Sequence, residues 1–223
     1  MCGRFSLTKS LDDLARFFEL YELHQRPNLA PRWNIAPTQS SAVIRNGPEG
    51  RRELALLRWG FAGPNGAPLI NARSETAAGK PTFRDSFSSR RCLIPADSFY
   101  EWQTIEGRKA KQPWRIGMRG GSLFAFAGLW QDEQAFGGAC FTILTTAAND
   151  YLAPLHERMP VILPPQSFAA WLDSGTPLRD LQAMLRPCPS EAMARYRVTT
   201  AVNSIRTDDE SCFAPLNPDL KAA

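Results

Sequence analysis

Two runs decide how this chain folds: residues 123–130, LFAFAGLW, and residues 139–146, ACFTILTT. Both are short and apolar, rich in aromatic and β-branched residues, and separated by glycine-bearing segments, which is how β-strands read. Working outward, the same texture recurs at 41–45 (SAVIR), 53–59 (ELALLRW), 91–96 (RCLIPA), 99–103 (FYEWQ), 113–118 (PWRIGM), 159–163 (MPVIL) and 195–200 (RYRVTT). Glycine and proline punctuate nearly every gap. Ser10-Leu11-Asp12-Asp13 ahead of Leu14, Phe17 and Phe18 predicts a capped amphipathic helix, and shorter helical patterns follow at 166–172 and 178–185. The pattern predicts an α+β fold: a single domain over residues 1–223 with an antiparallel, barrel-like β core and flanking helices. Asn46-Gly47-Pro48-Glu49-Gly50 reads as a hairpin loop, residues 60–68 as a longer exposed loop, and residues 217–223 as a flexible tail.

Composition is that of an ordinary soluble globular protein, with 43% hydrophobic and 22% charged residues. No run is long enough to span a bilayer, and the N-terminus lacks a secretory pattern, so a cytoplasmic protein is expected. The five cysteines are odd in number, scattered and never spaced C-x-x-C, and there are only two histidines; reduced thiols, no metal site and no cofactor are expected. The formal charge of +4 gives mild support for an anionic partner. Arginine greatly outnumbers lysine, which suits bidentate phosphate contacts, although a genomic bias explains the same composition.

Cys2 carries the most chemical information. Loss of Met1 would leave an α-amine and a thiol on one residue, a 1,2-aminothiol. An α-amine has a reference pKa of about 7.7–8.0, so near neutrality part of it is free to attack an aldehyde. The thiol can then close a five-membered thiazolidine. A cysteine behind the initiator methionine is more often incidental, so the reading leans on its companions. Glu101 lies between Tyr100 and Trp102 on a predicted strand, where burial would hold a proton for general acid work; a solvent-facing carboxylate is the alternative. His156 suits acid–base chemistry near neutral pH, but a lone histidine is more often structural. The Asn71 amide could orient an amine or carbinolamine, or simply make a turn.

Together the segments MCGRF, WNIAPTQ, LRWGF, INARSET, FRDSF, RRCLIPADSFYEW, FAFAGLW, ILTTAAN, LHERMPVIL and VNSI resemble, in order, the SRAP family of SOS-response-associated peptidase-like proteins that process abasic sites. The resemblance covers nearly the whole chain. It implies loss of Met1 and a thiazolidine between Cys2 and the ring-opened sugar of an abasic site in single-stranded DNA; no membrane partner and a monomeric protein are expected. It also implies that Asn71 holds the Cys2 amine, Glu101 assists ring opening, and His156 moves protons around the imine. Arg4, Arg73 and Arg158 would grip phosphates, and Asn34, Pro37, Trp59 and Phe61 would complete the DNA-binding set. Some relatives carry bulky tryptophans where this chain has Gly63-Pro64-Asn65-Gly66-Ala67-Pro68, and Asp97-Ser98 replaces the more usual Asp-Gly. The serine fits only if position 98 does not need φ > 0.

Two rival functions remain open on sequence. One is an N-terminal-cysteine or autoproteolytic peptidase, in which the Cys2 thiol attacks an amide with His156 as base. The other is a non-catalytic single-strand-binding module built on the arginines with Trp59 and Phe61, although both aromatics are also expected as core.

Overall fold

The computed structural model describes residues 2–20, 27–47, 50–107, 109–133 and 137–216. Met1, Pro48 and Glu49 of the expected hairpin loop, and the expected tail at 217–223 lie outside them.

Both runs that open the sequence reading are central strands of a closed barrel. β3 (Ser40–Asn46) and β4 (Arg52–Trp59) form an antiparallel hairpin. β6 (Arg91–Ala96) joins β3 to β9 (Phe124–Glu133), and β9 pairs with β10 (Gly138–Ala147). β10 then pairs in parallel with β4, which closes the ring of five strands. Closure removes the open edges that such apolar strands would otherwise expose. At the ring's tightest point Gly128 opposes Cys92 on one side and Ile143 on the other.

A second, five-stranded sheet packs against the barrel in the order β13 (Met193–Arg197), β8 (Gln112–Met118), β7 (Ser98–Gln103), β1 (Phe5–Leu7) and β2 (Arg32–Ile35). The chain's first strand therefore sits inside a sheet, between β7 and β2. Phe5 fixes it there. Its ring meets Trp59 and Phe126 edge-on at 5.1 and 5.8 Å, and Phe99 meets Phe126 at 6.0 Å, so aromatic packing joins the two sheets in one core. Each such ring contributes roughly 1.5–3 kcal/mol by leaving water.

A buried polar network adds register. Ser6 donates to Asp97 and bonds Ser98, Thr8 donates to Asp97 through both its N–H and its hydroxyl at 2.6 Å, and Arg115 donates to the Ser98 hydroxyl at 2.9 Å. Ser98 is not among the residues with positive φ, so serine is accommodated at this corner and supplies a hydroxyl to the network.

The capped helix is present as α1 (Leu11–Phe18): the Ser10 hydroxyl accepts from the Asp13 N–H while the Asp13 carboxylate accepts from the Ser10 backbone. Helix α2 (Ser74–Ala77) and helix α3 (Pro81–Ser89) follow β5 (Asn71–Arg73), a short strand beside β10. The expected helices at 166–172 and 178–185 are α4 (Phe168–Leu172), preceded by a single 3-10 turn, and α5 (Leu178–Met184). The expected strand 159–163 divides into β11 (Arg158–Pro160), on β10, and β12 (Ile162–Leu163), on β9. Val161 is the crossover, donating to Leu144 and accepting from Ala127.

Candidate functional site

β1 delivers Cys2 to the junction of the two sheets, because Tyr100 N–H donates to the Arg4 carbonyl and Phe5 pairs with Phe99. β5 arrives from the barrel side, with Asn71 opposite Ile143 of β10. There the Asn71 Nδ2 donates to the Cys2 carbonyl at 2.8 Å. The Asn71 Oδ1 is buried and has no hydrogen-bond donor among the described residues. One end of the amide thus holds residue 2, while the other is an unfilled acceptor at the same place.

Glu101 projects from β7 and is 5% exposed. Burial raises its carboxyl above the ordinary value; the positive amino end of the chain and His156 pull the other way without reversing the shift. His156 stands just before β11, where its Nδ1 accepts from the Arg158 N–H at 2.9 Å. In a neutral ring this leaves the proton on Nε2. The charge of Glu101 in turn bears on Cys2: burial is the main cause that drives the thiol above its usual value, and Glu101 adds to it. Cys2, Asn71, Glu101 and His156, far apart in sequence, therefore occupy one site. Cys2 is 0% exposed in the chain that retains Met1, with its Sγ 3.8 Å from the Arg4 carbonyl.

The residues expected to bind DNA fare unevenly. Arg73 is exposed at the end of β5. Arg158 is held by a bidentate pair with Glu75, at 2.7 and 2.9 Å, and donates to the Thr145 carbonyl at 2.6 Å. Arg4 is occupied by its own chain: its Nη1 donates to Asn34 Oδ1 at 2.8 Å and to the Val202 carbonyl at 2.9 Å, and the guanidinium lies 5.7 Å from the Trp102 ring centre.

Three of the residues expected to bind DNA lie in the interior. Asn34 is 0% exposed and its Nδ2 donates to the Val202, Ser204 and Thr207 carbonyls, so it staples the 202–207 segment to β2. Trp59 and Phe61 are each 0% exposed and present no ring face to a nucleotide. Trp59 stacks on Phe141 and donates its indole N–H to the Ile70 carbonyl, and Phe61 packs on Phe83. Pro37 is half-buried. The loop at 60–68 is closed by a bridge between Phe61 and Leu69 and tipped by a turn at Pro64–Gly66; its exposed residues carry no aromatic ring.

All five cysteines are free and buried. Among the described residues no group of histidine, cysteine and carboxylate side chains could hold a metal ion, and no helix is long and apolar enough to cross a membrane.

Comparison with known proteins places the chain among relatives in sequence and in fold. The chain is 40% identical over 215 residues to the abasic site processing protein YoaM of Bacillus subtilis, covering 92% of this chain and 93% of that one. A phage-related protein from Bordetella bronchiseptica matches in structure with a TM-score of 0.71 at 32% identity, covering 88% of this chain and 94% of that one. A protein from Bacteroides thetaiotaomicron shares the fold with a TM-score of 0.81 at 20% identity, over 96% of this chain and 100% of that one. The family model described as SOS response associated peptidase (SRAP) matches residues 1–205, and the chain belongs to that family.

Proposed function

We propose that this protein processes abasic sites in single-stranded DNA by covalent capture of the lesion at Cys2. The names of its relatives support abasic-site processing as the task. The observation that carries the chemistry is the divided Asn71 amide, which grips the Cys2 carbonyl and leaves a buried acceptor for an amine N–H beside it.

After loss of Met1, Glu101 in its protonated form gives a proton to the ring oxygen of the abasic sugar while the anomeric hydroxyl gives up its own proton to His156, so the ring C–O bond breaks and the aldehyde forms. The Cys2 amine attacks the carbonyl carbon to give a carbinolamine. Water leaves, its departure assisted by a proton from Glu101 or His156, and an imine remains. The thiol then adds across the C=N bond: sulfur bonds to carbon and the thiol proton ends on nitrogen. The net change is one thiazolidine formed and one water released, with no oxidant or reductant. Removing the imine closes the route to β-elimination and strand cleavage.

The burial that raises the Cys2 thiol supports an amine-first order. A buried thiol held protonated is a poor opening nucleophile, which also weighs against the peptidase reading, since that reading needs a thiolate at the start. Burial of Trp59 and Phe61 removes the stacking surface from the non-catalytic binding reading.

The test is intact-mass measurement of the protein after incubation with an abasic single-stranded oligonucleotide. The expected product lacks Met1 and gains the oligonucleotide less one water, while Cys2→Ala gives no stable adduct. Absence of any gel-stable product from the wild type refutes the proposal, as does retention of Met1 in the adduct.

A further inference from the structure

The five-stranded sheet continues past Glu101 in a single row. Glu101 on β7 opposes Trp114 on β8, and Trp114 opposes Arg197 on the edge strand β13. Directly opposed residues of antiparallel strands share a face, so Trp114, Arg197 and, two residues away, Arg195 stand on the same face as Glu101. The Trp114 indole donates to Gln103, two residues beyond Glu101 on that face, at 3.0 Å.

The two guanidinium groups are held without being neutralised. Arg195 and Arg197 lie 5.1 and 5.2 Å from the Trp114 ring centre, and Arg195 also lies 4.5 Å from that of Tyr151. Neither arginine has an ion-pair partner among the described residues, in contrast to Arg158 with its bidentate Glu75. The Nη1 of Arg195 is buried without an acceptor among the described residues. An aromatic face orients a cation while leaving its charge and most of its N–H donors available. Tyr151, on the loop that leads to His156, ties the edge strand to the site from the other side: its hydroxyl accepts from the backbone N–H of Arg195 at 3.2 Å.

We propose that Arg195 and Arg197, positioned by Trp114, form a phosphate clamp for the single strand running away from the captured sugar. The placement of the lesion at Cys2 and Glu101 rests on the proposed function; the clamp itself does not require the crosslink. With strands about 4.8 Å apart, the Arg197 backbone lies roughly 10 Å from that of Glu101, which suits a neighbouring phosphate rather than the lesion's own. The clamp also supplies an electrostatic contact where Arg4 is bound to its own chain.

The experiment measures affinity for an intact, fluorescently labelled single-stranded oligonucleotide across a salt series, so capture chemistry plays no part. Each phosphate contact contributes about 0.7 to the slope of log K against log salt for a single strand. Arg197→Gln, at an exposed position, is expected to lower the slope by about 0.7, and Arg195→Gln with Arg197→Gln by about 1.4. Trp114→Leu is expected to weaken binding severalfold while keeping the slope, because both charges remain but lose their orientation. An unchanged slope in both arginine variants, with thermal unfolding showing them folded, overturns the clamp. Capture of an abasic strand by the wild type is scored in parallel: its absence defeats the function proposed above, whereas the clamp is decided by the slopes alone.

Discussion

At the scale of single residues, the site places an acid where water is scarce. A carboxyl whose folded pKa lies above its unfolded one binds more protons folded than unfolded. Its stability contribution is therefore most favourable below the unfolded value and declines as pH rises from there to the folded value. Burial puts Glu101 in this class. Glu101→Gln is accordingly expected to raise the melting temperature near neutral pH, by about 2–4 °C for each kcal/mol of burial cost removed. The gain should vanish in acid below the ordinary carboxylate range. Crosslink formation should slow by roughly two orders of magnitude or more, in line with loss of a general acid. Melting curves and crosslinking time courses check both halves; a variant that is less stable at neutral pH and equally fast contradicts the assignment. Cys2→Ser separates amine from thiol. It keeps the amine, loses the sulfur that traps the imine, and is expected to nick abasic strands weakly without a stable adduct, as read on a denaturing gel.

At the scale of elements, what the sequence revealed and what it hid have a common cause. Residues 91–96 and 139–146 read as strands because burial within the barrel demands apolar side chains along their length. Ser10 and Asp13 announced a helix start because capping is local chemistry. β1, β2 and β5 escaped notice because each is three or four residues long and gains its strand character only from a partner distant in sequence. α3 begins at Pro81, with no side-chain cap to mark it. Motif resemblance named Asn71, Glu101 and His156 but not Arg195, Arg197 or Trp114; the usable signal for those was alternation of cations on an edge strand opposite an aromatic. The burial of Asn34, Trp59 and Phe61 was not legible in those motifs, because it is set by tertiary packing that short motifs do not encode. A consequence at this scale concerns α2 and β11, joined by Glu75 and Arg158. The Arg158 hydrogen bond holds the Glu75 carboxyl below its usual value, so the pair persists at neutral pH and is lost as pH falls through that lowered value. Glu75→Gln removes the competing charge, and is expected to steepen the salt dependence of single-strand binding by about 0.7 as Arg158 becomes available to a phosphate. An unchanged slope would mean that Arg158 serves only to orient His156 and Thr145.

At the scale of the whole molecule, the site depends on closure of the barrel, since β10 pairs with β9 along one edge and carries β5, and hence Asn71, along the other. Gly128 is where that closure is tightest. A Cβ there would stand 2.0 Å from Ile94 Cδ1 and 3.1 Å from both the Cys92 sulfur and the Thr142 carbonyl oxygen. The backbone oxygen cannot retreat without moving β10, so the strain of Gly128→Ala would fall on the Ile94 side chain and on the spacing of the barrel strands. Overpacking of this kind costs about 1–3 kcal/mol, and the melting temperature is expected to fall by about 2–4 °C for each kcal/mol. Ile94→Val removes the methyl that meets the new Cβ. The double variant should therefore recover part of the loss, giving a favourable coupling of roughly 0.5–3 kcal/mol between two positions in contact. Additive losses in that cycle would show that the clash is relieved by β10 instead; the Asn71 grip on Cys2 would then loosen, and crosslinking by the folded single variant would slow with it.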